Sequence, residues 1–291
     1  MTAEPPSRRD FIGAALAAGL VPGKALGGTG TGWTMKLSTS SIHFKGLSIE
    51  DACRRISGLG FDGVDIWSNF RGCPHLDSAK KRLGPDGLKN LLAKTDLGLT
   101  AFSVYRGGYR KYADLLGDVG GGVAIRGSTG GEAESGEVEG RMKSFIDGLQ
   151  PLGKLAEERD SYLAIENHGG RLLSSLDSLR AFVDINESPR LGIALAPYHL
   201  QARDASVPEA IRICGDQLFF IYAWQHQSGP EQLPGLGLTD MRPWLEALAD
   251  IGYAGYVNAF MHGEVEPEKM ANLLSHSREY LVKCRKDVEG M

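Results

Sequence analysis

From residue 33 onward the chain alternates between two hydrophobic periods. Strand-length runs recur at Lys36 to Ser41, Phe61 to Trp67, Leu99 to Tyr105, Val123 to Arg126, Leu163 to Glu166, Leu191 to Leu195, Leu218 to Ala223 and Gly255 to Phe260. Between them apolar residues fall at helical spacing, as at Ile49, Ala52, Cys53, Ile56 and Leu59, or at Met142, Phe145, Ile146, Leu149, Leu152 and Leu155. Weaker helical stripes carry Leu88, Leu91 and Leu92, then Leu176, Leu179 and Val183, then Ile211, then Leu245, Leu248 and Ile251, and Glu266 to Lys283 closes the chain. Ser48 is placed to cap the first helix, with Asp51 as its capping-box partner, and Gly60 to stop it. Pro151 predicts a kink or break in the long helix. Eight strand signals separated by helices imply a parallel sheet with helical crossovers. At this length the expected fold is the closed (β/α)8 TIM barrel, over residues 33–291. The open doubly wound sheet is the alternative, and the lack of a G-x-G-x-x-G turn after the first strand weighs against it.

Residues 1–32 follow a different rule. Ser7-Arg8-Arg9-Asp10-Phe11-Ile12 leads into a mild apolar run ending near Val21, followed by a Gly-rich linker. The order resembles a twin-arginine export signal, and the run is shorter than the ~20 apolar residues of a membrane span. The expectation is export to the periplasm, with membrane tethering arising through an uncleaved signal alone. The formal charge of −4 and the lack of a basic stripe argue against nucleic-acid binding. Cys53, Cys73, Cys214 and Cys284 form no C-x-x-C pair, so buried free thiols are expected ahead of disulfides.

Chemistry concentrates at the strand ends. Five of the seven histidines follow strand-like runs, namely His43, His168, His199, His226 and His262. A parallel barrel gathers those ends at one mouth. Glu166, at the end of an apolar strand, is costly to bury unless paired, protonated or metal-bound. Trp67 and Tyr105 end strands two and three, Arg126 ends strand four and suits an anion or Glu166, and Gln225 and Asn258 lie at the last two strands. Glu166, His168 and His199 are the candidate catalytic residues. His43, Trp67, Tyr105, Arg126, Gln225, Asn258 and His262 are the candidate substrate contacts.

Glu166-Asn167-His168 and Leu191-Gly192 through Ala196-Pro197-Tyr198-His199 resemble the fifth- and sixth-strand motifs of the sugar phosphate isomerase/epimerase family, xylose-isomerase-like barrels related to endonuclease IV. Gly60-Phe61-Asp62-Gly63-Val64-Asp65 and Gly252-Tyr253 with Gly255-Tyr256-Val257 are similar to its second- and eighth-strand entries. The resemblance implies proton transfer next to a sugar carbonyl. Its agents would be carboxylates and a divalent metal held by a fifth-strand Glu, a sixth-strand Asp, a seventh-strand His and an eighth-strand Glu.

Glu166 is kept, but Ala196 and Phe260 replace the sixth- and eighth-strand acids. A hard ion such as magnesium or manganese loses two anionic oxygens. A zinc-like site from Glu166, His199 and His226, with His262 in reserve, and a metal-free pocket are the two remaining readings. The expected function is an isomerase, epimerase or lyase acting on a small carbohydrate or polyol. The alternative is a carbohydrate-binding barrel without catalysis. An apurinic-site endonuclease fits the fold but neither the charge nor the ligand set.

Overall fold

The computed structural model describes residues 33–289. The signal expected over residues 1–32 lies outside them. Eight parallel strands close into a barrel in sequence order: β1 (Lys36–Ser40), β2 (Gly63–Trp67), β3 (Gly98–Ser103), β4 (Gly122–Gly127), β5 (Ser161–Glu166), β6 (Leu191–Leu195), β7 (Leu218–Ala223) and β8 (Tyr256–Ala259). Closure runs through Leu37 opposite Val257 and Ser38 opposite Asn258. Around the barrel lie α1 (Ile49–Gly58), α2 (Gly84–Thr95), α3 (Gly108–Asp118), α4 (Val138–Glu158), α5 (Leu176–Ile185), the short α6 (Pro197–Gln201), α7 (Val207–Cys214), α8 (Arg242–Asp250) and α9 (Pro267–Glu289).

Local chemistry sets the boundaries. The Ser48 side chain accepts from the Asp51 amide, capping α1, and the helix ends where Gly60 takes φ +79°. Pro151 breaks nothing: α4 continues from Val138 to Glu158. Pro151 and Asp147, four residues earlier, both face solvent, so the carbonyl that loses its helical donor remains open to water. The acidic loop before α4 is tied down rather than loose. Arg141 donates to the carbonyls of Gly130, Gly131 and Glu132, and the Glu132 carboxylate accepts from the Gly170 amide and pairs with Arg203.

Strand alternation separates two apolar populations. Leu37, Val64, Ile66, Phe102, Leu163, Ile165, Ile193, Ile221 and Val257 pack outward under the helices. Ile125, Ala164, Ala194, Phe220, Tyr222 and Phe260 belong to the inner cluster. The lumen is not uniformly apolar. On the β8-β1-β2-β3 side, Ser38 donates to Asn258 at 2.9 Å and Asn258 donates to Ser40 at 3.0 Å. Ser40 and Ser103 then donate to the Asp65 carboxylate at 2.7 and 2.9 Å. Each group here satisfies another, as burial demands. All four cysteines are buried and free.

Candidate functional site

The C-terminal ends of β2 to β5 open on a cavity of about 480 Å³. Trp67, Phe70 and Tyr105 supply an aromatic wall, Arg126, His168 and Arg171 a basic one, and Glu166 the carboxylate. His262, just beyond β8, also reaches it. Trp67 is held rigidly: its indole N–H donates to Asp65, and its ring stacks on Phe260 at 5.4 Å and 11°. Tyr105 is bonded to Tyr222 through their hydroxyls at 3.0 Å.

Burial pushes Glu166 up to about 7; hydrogen bonding from Tyr105 opposes this, and the nearby Asp65 charge adds to it. Asp65 is likewise pushed up to about 7 by burial, against the hydrogen bonds from Ser40, Ser103 and Trp67. Both tyrosine hydroxyls are raised well above their ordinary value, chiefly by burial, and stay protonated. Burial, followed by the neighbouring His168, His262 and His226, drives His199 down to about 3. Burial and Arg71 drive His262 to about 4. His199 and His262 are therefore neutral at pH 7 and cannot serve as imidazolium acids.

The structure brings some of the sequence-derived candidates together and separates others. Glu166, His168, Trp67, Tyr105, Arg126 and His262 share the cavity. His199 is on α6 rather than at a strand end, and packs behind His168 with ring centroids 3.9 Å apart. Asn258 is fully buried in the lumen network, its amide spent on Ser38 and Ser40. Gln225 is also spent: it donates to the Leu233 carbonyl at 2.7 Å and accepts from the Thr239 amide at 2.9 Å, pinning the β7–α8 loop. His43 bonds Thr39 at 2.9 Å, reaches the Met261 carbonyl at 3.2 Å, and lies beneath Phe260 away from the cavity. His226 is exposed, edge-on to Tyr198 at 4.8 Å.

The strand-end donors do not fit a divalent metal. Glu166, His199 and His226 do not assemble, and among the described residues no three His, Cys, Asp or Glu side chains come together as ligands. The inward positions beside Glu166 explain why. Ala196 follows β6, Phe260 follows β8, and the seventh-strand position falls on Tyr222, not on Gln225 or His226. Tyr222 and Phe260 face each other at 4.9 Å. Aromatic carbon and a protonated phenol occupy the space that anionic oxygens would need. Tyr222 and Asp65 were not singled out as site residues from sequence, yet strand alternation through Phe220, Tyr222 and Trp224 carries the signal for the first.

Residues 53–281 match the xylose isomerase-like TIM barrel family. A D-psicose 3-epimerase of Enterocloster bolteae is 30% identical over 125 residues, covering 41% of this chain and 40% of that protein. An inosose dehydratase of Klebsiella pneumoniae is 26% identical over 180 residues, covering 54% of this chain and 57% of that protein. The chain thus spans about half the length of the curated relatives it matches. Among solved structures, the apo 3-keto-D-glucoside 4-epimerase of E. coli superposes with a TM-score of 0.65 at 18% identity, covering 84% of this chain and 100% of that one. The IOLI protein with a bound zinc atom superposes at 0.68 and 16% identity, covering 88% and 100%. These two share the fold. With most of its described length matched, the chain belongs to the xylose isomerase-like TIM barrel family.

Proposed function

We propose that this protein is a carbohydrate- or polyol-active enzyme that moves a proton next to a carbonyl, with Glu166 as the base. The supporting observation is a buried carboxylate facing a cavity of sugar size at the barrel mouth, where burial pushes it up to about 7. A base poised near the working pH is half ionised and still strong enough to take a proton from carbon. Tyr222 is bonded to Tyr105, and the Tyr105 hydroxyl donates to Glu166, so the pair holds the carboxylate in place beneath the cavity. Phe70 and Tyr105, partly exposed at the cavity and packed against the buried Trp67, present ring surfaces suited to sugar C–H groups. Epimerisation, isomerisation and elimination of water all begin with the same proton abstraction, consistent with the sugar epimerases and dehydratases among the relatives. The proposal includes export by the twin-arginine route, supported by Ser7-Arg8-Arg9.

The test is hydrogen exchange in D2O, followed by NMR, with ketohexoses, 3-keto-glucosides and inososes. Exchange at the carbon beside the carbonyl should occur in the wild type and fall by about 100-fold or more in Glu166→Gln. Exchange that survives the substitution would remove Glu166 from the role. A second reading, a binding barrel without catalysis, is favoured by Ala196, Tyr222 and Phe260 at the ligand positions. Saturable sugar binding with no exchange would select it.

A further inference from the structure

Arg126 differs from the arginines that pair with carboxylates at the surface. Arg82, Arg159, Arg180, Arg190, Arg203, Arg212 and Arg242 each touch a carboxylate on the surface. Arg126 is half-buried at the end of β4, and no carboxylate among the described residues pairs with it. Its Nε donates to the Gly127 carbonyl at 3.3 Å, and no acceptor among the described residues takes up the two terminal NH2 groups of the guanidinium fork. Burial weakens its hold on the proton with no countercharge to offset this. A cation half-withdrawn from water and left unpaired costs free energy, and the usual compensation is an anion.

The cavity around it favours such an anion. Arg171 and His168 line the same wall, and among the described residues Glu166 is the one acidic side chain lining the space. Gly108, the first residue of α3, also borders it. That helix has no side-chain N-cap and no acidic residue in its first turn, so its open amides add positive potential in the same direction.

We propose that the substrate of this site is an acidic sugar derivative, whose carboxylate or phosphate is gripped by Arg126 while its ring lies against Phe70 and Tyr105 within reach of Glu166. The inference rests on the proton-transfer reading and names its substrate class. Arg126 would bind and orient; Glu166 alone would handle the proton.

Calorimetric titration of the whole protein at pH 7 and low salt, with D-glucuronate, D-glucose 6-phosphate and D-glucose, tests it. At least one charged sugar should bind about 10-fold or more tightly than glucose. Preference for the uronate assigns the group as a carboxylate, and preference for the phosphate ester assigns it as a phosphate. Arg126→Gln should lower the charged sugar to the level of glucose, and Arg126→Lys should keep part of the advantage. Thermal melts establish that both variants fold, and added salt should shrink the advantage in the wild type. Equal binding of charged and neutral sugars, no binding of either charged sugar, or a preference that survives Arg126→Gln would overturn the inference. Its failure is separable from that of the enzymatic reading. Deuterium exchange into neutral keto-sugars without anion preference leaves catalysis standing and removes the anion site. Anion preference without exchange does the reverse.

Discussion

Glu166 and Asp65 show how burial, more than any single partner, tunes this site. Burial pushes each carboxyl up to about 7; the Asp65 charge adds to the rise at Glu166, while the Ser40, Ser103 and Trp67 donors oppose it at Asp65. With Glu166 as base, activity should rise with pH through about 7, and Asp65→Asn should move that midpoint down, since the Asp65 charge contributes to the elevation. A pH–rate profile that does not move would deny Asp65 this influence. Stability runs the other way. Folding raises Glu166 from 4.5 to about 7, so the fold favours its protonated form. That contribution is complete below the unfolded value and is lost as pH rises through the folded one. Glu166→Gln, uncharged throughout, should therefore gain on the wild type between pH 5 and 8.5, by on the order of 1–3 kcal/mol. Thermal melts across that range measure it, and parallel curves for the two proteins would contradict it.

At the scale of strands and helices, the alternation of side chains decides what reaches the mouth. The run Leu218 to Gln225 looks continuous in sequence, and His226 at its end looks like a ligand. The strand stops at Ala223, however; its inward residues include Phe220 and Tyr222, and Trp224 just beyond it continues the same face. Hydrophobicity marks a buried strand without marking its phase, because both faces are apolar in a parallel barrel. The same limit applies to His199, which a one-turn helix begun by Pro197 carries out of the strand. Glu166, by contrast, was legible because a charge ending an apolar strand has few alternatives to a site. The aromatic replacement of the metal positions gives a direct prediction. Titration of the wild type with manganese or zinc should show weak binding. Ala196→Asp, Tyr222→His and Phe260→Glu together should raise affinity by about 100-fold or more, since they add two carboxylates and an imidazole around Glu166. In chelator the same variant should melt below the wild type, as clustered like charges lose their counter-ion. Tight metal binding by the wild type would show that the histidines assemble a site of their own.

For the whole molecule, eight repeats of strand and helix made the closed barrel readable before any contact was known. The lumen was not readable, because its partners meet only on closure: Ser38 and Asn258 are 220 residues apart in the chain. No local pattern announces that Asn258 will be consumed by two serines, or that Asp65, whose strand position allows it to point inward, will collect donors from Ser40 and Ser103 on the neighbouring strands. The cysteines depend on the global fold in the same way. Cys53, Cys73, Cys214 and Cys284 are buried on different elements, and burial pushes the Cys53 and Cys73 thiols up to about 12 and 11. Thiolate is the form that reacts, so the folded barrel shields its thiols from oxidation as well as from reagents. This bears on the proposed export, because a chain that crossed the membrane already folded would arrive with its thiols protected, whereas one that folded outside would be exposed to oxidation first. Replacing Arg8 and Arg9 by Lys should abolish delivery outside the cytoplasm, as cell fractionation would report. Wild-type protein recovered from outside should react slowly with a thiol reagent when native, and should titrate all four cysteines after denaturation without reductant. Fewer than four thiols would mean that the chain met an oxidising compartment unfolded. Delivery that survives the Lys substitutions would remove the twin-arginine assignment, whatever the thiols show.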